Sequence, residues 1–138
     1  MKEIIAVIRM NKTSATKKAL VAAGVAGFTA IKVQGRGKLV ESPEAIAGRK
    51  AKLMDLAIDD ISEPEETEKL VTGFLDGSRL FPRRLFKIVA KDDEVSKIVD
   101  ALIQANRTEN RLGDGKIFVL PIYDAVRVRT GEYGEEAL

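Results

Sequence analysis

The chain has 138 residues, of which 45% are hydrophobic and 32% charged, with a formal net charge of +2. That length suits one domain with a core of its own, and so small a basic excess argues against a general nucleic-acid binder. The absence of cysteine and histidine excludes a disulfide framework, a zinc-thiolate site, an imidazole-based triad and a histidine-driven pH switch.

Residues 2–10 are apolar and β-branched with little polar interruption, which predicts a strand buried on both faces or nearly so. Asn11 and Thr13 offer caps to a helix over residues 14–23. There Ala15, Ala19, Leu20 and Ala23 recur at helical spacing opposite Lys17 and Lys18, and Gly24 is placed to end the helix. Residues 28–35, with Phe28, Ala30, Ile31 and Val33, suggest a second strand. A third apolar run, residues 85–89, precedes Asp92, Asp93 and Glu94, whose carboxylates suit the positive end of a helix through Val95, Ile98, Val99, Leu102 and Ile103. Residues 116–129 complete the pattern as a strand broken near Pro121.

Without the middle of the chain, the order is strand, helix, strand, strand, helix, strand. This is the βαββαβ arrangement of a ferredoxin-like α+β sandwich. That fold hosts many functions, among them RNA binding through exposed strand aromatics. Only Phe28, Phe86 and Phe118 lie near these strands, so no nucleic-acid partner is expected. No apolar run approaches the ~20 residues of a membrane span and no signal-peptide pattern opens the chain, so the expectation is a cytoplasmic protein without membrane insertion.

Residues 37–81 are too long for a plain connection inside a compact domain, where loops beyond ~15 residues usually have a role of their own. Ser42-Pro43-Glu44 is a helix-start signal, followed by Ala45, Ile46, Leu53, Met54, Leu56, Ala57 and Ile58. Ser62-Glu63-Pro64-Glu65 opens a second candidate helix, with Leu70, Val71, Phe74 and Leu75 as its apolar stripe before Gly77. Residues 37–80 hold ten acidic and six basic side chains, which leaves a surplus of six positive charges on the remainder. An acidic projection on a basic body follows. The projection reads either as a helical lid packed on itself or as an arm that docks a partner.

The most informative motif is Leu112-Gly113-Asp114-Gly115-Lys116-Ile117-Phe118, followed by Arg127-Val128-Arg129-Thr130-Gly131-Glu132. Two glycines around an aspartate let successive N–H groups point at one anion with no Cβ in the way. Lys116 adds a point charge, while Arg127 and Arg129, two apart on the expected strand, would direct two planar forks to one face. The plainer alternative is a tight turn between helix and strand with two solvated arginines.

Gly-Asp-Gly-Lys-Ile-Phe-Val, Val-Arg-Val-Arg-Thr-Gly-Glu and the Glu-Glu-Ala-Leu end closely resemble the C-terminal signature of the PII nitrogen-signalling family. Met1 to Arg9, Gly24-Val25-Ala26-Gly27-Phe28-Thr29 and Val33-Gln34-Gly35-Arg36-Gly37 resemble its first strand and its entry into the second strand and T-loop. The resemblance covers roughly residues 1–38 and 82–138. It implies one PII-like domain over residues 1–138 in which residues 37–81 form an enlarged T-loop, and a trimer with nucleotide clefts between neighbours. By the same resemblance, Gly37, Lys38, Gly113, Asp114, Gly115 and Lys116 cradle the phosphates of ATP or ADP, and Arg127 and Arg129 reach in from the next subunit. Gly27 and Thr29 match positions near adenine and ribose, and Gly35 lines the T-loop base. Lys38 replaces the family's usual arginine, which costs the bidentate geometry.

The family's second ligand, 2-oxoglutarate, is held through Mg²⁺ and a glutamine whose position is here Leu39, an aliphatic residue with no oxygen for a hard cation. Arg83 stands at the position of the family's carboxylate-binding lysine. Both tyrosines, Tyr123 and Tyr133, lie outside residues 37–81, so the uridylylation switch of bacterial members is missing. The enlarged T-loop resembles the branch encoded among nitrogen-fixation genes, whose members work in pairs and inhibit nitrogenase. The expectation is therefore a regulator rather than an enzyme, as a homotrimer or with a companion PII-like subunit, acting on a target through residues 37–81. The alternatives are a metabolite-independent scaffold, or a regulator of a transporter or a nitrogen-assimilation enzyme.

Overall fold

A computed structural model of the chain describes residues 1–37, 64–75, 80–109 and 113–138. Along the chain these form strand β1 (Lys2–Ile8), a 3-10 turn (Met10–Lys12), helix α1 (Thr13–Ala22), strand β2 (Thr29–Gly35), helix α2 (Pro64–Leu75), strand β3 (Phe81–Ala90), helix α3 (Val95–Asn106), strand β4 (Lys116–Pro121) and a closing 3-10 helix (Gly134–Ala137). The sheet order is β2-β3-β1-β4. Strand β1 is antiparallel to both neighbours, so Ile4 faces Ile88 and Val119, and Ala6 faces Phe86 and Ile117. The expected ferredoxin-like architecture is the one observed.

By contact density the chain divides into two compact units, residues 1–31 with 84–138, and residues 32–83. In the first, one face of the sheet supplies the core. Ile4, Ala6, Ile8, Phe86, Ile88 and Ala90 pack with Leu20 of α1 and with Ile98 and Leu102 of α3. The Phe28 and Phe86 rings meet at 5.5 Å between centroids, tilted by 57°. Burial along β1 alternates from Ile4 onward, so Ile4, Ala6 and Ile8 are enclosed and the strand's other face is half-covered. Between the helices lies one polar link, in which the buried Asn106 amide donates to Thr16 Oγ1 at 3.0 Å and to the Leu102 carbonyl at 2.9 Å. An unpaired amide there would cost its full desolvation, so both donors are satisfied.

Helix ends depart from expectation in detail. At the start of α1 the Thr13 hydroxyl donates back to the Met10 carbonyl at 2.6 Å, and the cap residue Lys12 makes no side-chain capping bond. A 3-10 turn leads straight into the helix, so its first N–H groups need no Asn11 cap. Asp92, Asp93 and Glu94 do precede α3, but Glu94 accepts from the Lys91 N–H at 3.2 Å instead of capping. Gly24, at φ +83°, ends α1 as expected.

In the second unit, α2 starts at Pro64 with Glu65 and Glu66 in its first turn, where proline's fixed φ and the helix dipole suit them. Val71 is fully buried, whereas Glu65, Glu66, Glu68, Lys69 and Thr72 are exposed. The Arg83 guanidinium lies over the Phe81 ring at 4.9 Å. The candidate helix at Ser42-Pro43, the Ser62-Glu63 cap, Lys38 and Leu39 lie outside the described residues.

Candidate functional site

The glycine turn is built against the end of β1. Gly113 and Gly115 take φ of +81° and +112°, a region that side chains with a Cβ rarely enter. A Cβ on Gly115 would stand 2.1 Å from the Val7 carbonyl oxygen, so conformation and space both demand glycine there. Lys116 follows as the first residue of β4, paired with Val7 and exposed.

Asp114, between the glycines, is held from two directions. Thr108, just beyond α3, donates its hydroxyl to Oδ1 at 2.6 Å and its backbone N–H to Oδ2 at 2.9 Å. Arg9, immediately after β1, reaches the same carboxylate with Nη2 at 3.1 Å. Its Nε donates to the Gly113 carbonyl at 3.0 Å and its Nη1 to Thr108 Oγ1 at 3.2 Å. The Arg9 side chain is only 6% exposed. Burial pushes the Asp114 carboxyl upward, but the two Thr108 hydrogen bonds and the charges of Arg9 and Lys12 outweigh it, and its pKa lies below the ordinary aspartate value. The carboxylate is therefore a fastening of the turn, ill placed to serve as a base. What the turn can offer an anion is backbone N–H and the Lys116 ammonium.

The arginine motif is not on a strand. Strand β4 ends at Pro121, which has no N–H to extend the ladder. Residues 122–138 fold instead as a short closed tail, with one bridge between Val126 and Tyr133 and left-handed glycines at Gly131 and Gly134. Arg127 Nη1 donates to Glu132 Oε2 at 2.6 Å and Nη2 to the Leu138 carbonyl at 2.8 Å. Thr130 donates to the same Glu132 oxygen at 2.8 Å. The expected pair of forks on one strand face is thus corrected: in this chain Arg127 closes its own tail, and Arg129 lies in the turn that the tail makes.

Of the other candidates, Gly27 lies in the loop before β2 and Thr29 is its first residue. Gly35 ends β2 and Gly37 lies two residues beyond. At Gly27, Gly35 and Gly37 a Cβ would meet nothing within 4 Å, so nothing in the described chain requires glycine there. Arg83 is engaged with Phe81 and with the Pro82 carbonyl at 3.3 Å. Arg9 was not legible as a site residue, because its partners lie about a hundred residues away along the chain, at separations of 104 to Gly113 and 99 to Thr108. Thr108 lies only six residues from Asp114, but no motif marked it.

A model of the family described as Nitrogen regulatory protein P-II matches residues 1–132. The chain is 41% identical over its full length to "Nitrogen fixation nifHD region GlnB-like protein 2" of Methanobacterium ivanovii, covering 99% of that protein. It is 38% identical to "Nitrogen fixation nifHD1 region GlnB-like protein 2" of Methanosarcina barkeri, again over all of this chain and 99% of the relative. To "Nitrogen regulatory protein P-II" of Cereibacter sphaeroides it is 35% identical, with both chains fully covered. These matches run through the long middle segment as well as the sheet. The chain belongs to the nitrogen regulatory P-II family, alongside relatives named for the nifHD region.

Proposed function

We propose that this protein is a trimeric P-II regulator that takes ATP or ADP at the glycine turn and passes nucleotide occupancy to a target, nitrogenase foremost, through residues 37–81. The observation that carries this reading is the Gly113–Gly115 turn: two left-handed glycines, one with no room for a Cβ, followed by an exposed lysine. A polyphosphate fits such a turn because backbone N–H groups and an ammonium meet its charge without a carboxylate opposing it, Asp114 being neutralised by Arg9. The apolar Ile5, Val7, Phe118 and Leu120 share the sheet face opposite the core, with Phe118 50% exposed. Such a face supports burial against further subunits. The nifHD names of the relatives support nitrogenase as target.

For 2-oxoglutarate and Mg²⁺ the reading is weaker binding than for ATP. The Leu39 side chain offers the metal no oxygen, and Arg83 is already engaged with Phe81 and with the Pro82 carbonyl. The role is regulatory rather than catalytic, because Asp114, the acid within the turn, is already committed to Arg9 and Thr108. Nucleotides shift the T-loop only by as much as they favour one of its states. Calorimetric titration of Lys116→Glu and Arg129→Glu with ATP should show binding lost, and unchanged affinity would overturn the site. A protein lacking residues 42–76 should keep its trimer and its ATP binding while losing inhibition of the target.

A further inference from the structure

We propose that Arg9 is the positioning residue of the phosphate turn. It sets the turn's shape through Asp114 and the Gly113 carbonyl without touching the ligand. This rests on the reading that an anion binds at Gly113–Lys116. One guanidinium spans the turn: Nη2 on the Asp114 carboxylate at 3.1 Å and Nε on the Gly113 carbonyl at 3.0 Å fix two consecutive residues of the segment. Thr108 locks the far side of the same carboxylate with its hydroxyl and its N–H.

The need for such a device follows from the glycines. Two left-handed residues within three positions give a backbone that an unsupported chain would leave readily, since glycine loses more conformational freedom on ordering than any other residue. An anion site must be ordered before the ligand arrives, or binding supplies the ordering and weakens accordingly. Arg9 is planar, nearly enclosed and fixed at the end of the central strand, so it transmits the register of β1 to the turn. Charge matters as well as shape. By neutralising Asp114, Arg9 removes a negative charge that would otherwise repel the phosphates.

The test is ATP affinity by calorimetry on the whole protein, read against thermal stability. Arg9→Gln should weaken ATP roughly tenfold, about the worth of one charge-assisted hydrogen bond, and Arg9→Lys should recover part of the loss by restoring charge without the second donor direction. Ile98→Ala, a core variant of comparably lowered Tm, should bind ATP as the parent does. Asp114→Asn should weaken ATP by a similar factor, and the double variant Arg9→Gln/Asp114→Asn should bind no worse than the weaker single one. Should Arg9→Gln fold poorly, Thr108→Val probes the same fastening. The inference is overturned if Lys116→Met loses ATP binding while Arg9→Gln and Asp114→Asn keep it, or if Ile98→Ala loses as much as Arg9→Gln. If Lys116→Met itself binds ATP normally, the turn is no phosphate site and the underlying reading falls first.

Discussion

An arginine, a carboxylate and a threonine meet twice in this chain, with different consequences. At the glycine turn, Arg9, Asp114 and Thr108 are joined; in the tail, Arg127, Glu132 and Thr130 are joined, with bonds of similar length. Arg9 is 6% exposed and Asp114 29%, whereas Arg127 and Glu132 are 36% and 42% exposed. Water competes for the second group and is mostly kept from the first, so equal geometry does not mean equal energy. Reach differs too. The turn's group ties together segments from both ends of the chain, while the tail's group joins residues five and two apart. The first therefore fixes tertiary structure, and the second only shapes a local loop.

The largest test of this contrast is Gly115→Ala. With the Val7 oxygen 2.1 Å from the new methyl and φ at +112°, the turn cannot hold its present place. A loss of roughly 2–4 kcal/mol in denaturant unfolding is expected, against about 1 kcal/mol for Gly131→Ala, whose Cβ would meet open space. Next comes Arg9→Met, which strands a partly buried carboxylate and should cost about 2–3 kcal/mol. A value below that of Arg127→Met would reverse the ranking of the two groups.

A smaller effect is set by pH. Asp114 has a folded pKa below its unfolded value near ~3.9, so its contribution is fully present above that pH and is lost as pH falls through the folded pKa. The Asp114→Asn protein should accordingly show a shallower loss of stability on the acid side, below about pH 4, than the parent. An identical acid limb would mean that the carboxylate is as well stabilised in the unfolded chain. Smallest of all, Arg127→Met should cost under about 1 kcal/mol and less still in high salt, where exposed pairs are screened.

Much of the fold was legible because burial and periodicity coincide. Ile4, Ala6 and Ile8 of β1 and the Leu20, Ile98 and Leu102 stripes are both apolar in sequence and enclosed in space. The Gly-Asp-Gly turn was legible as well, since glycine is the residue that such a backbone needs. The arginine motif misled for a physical reason. Val126-Arg127-Val128-Arg129 alternates as a strand does, but alternation specifies a strand only where a partner ladder exists. Beyond Pro121 the chain makes a single bridge, to Tyr133, and the glycines at 131 and 134 turn it back. Arg9 was invisible for the opposite reason: an arginine after a strand has no pattern to announce it.

The sequence by itself determined most of the described strands and helices, the glycine turn and the family, since these depend on local backbone preference and on residue order along one chain. Tertiary structure alone decided which charges meet. It placed Asp114 against Arg9 and Thr108, and it turned Arg127 onto Glu132, because electrostatic and hydrogen-bond energies depend on distances and solvent exclusion that residue order does not encode.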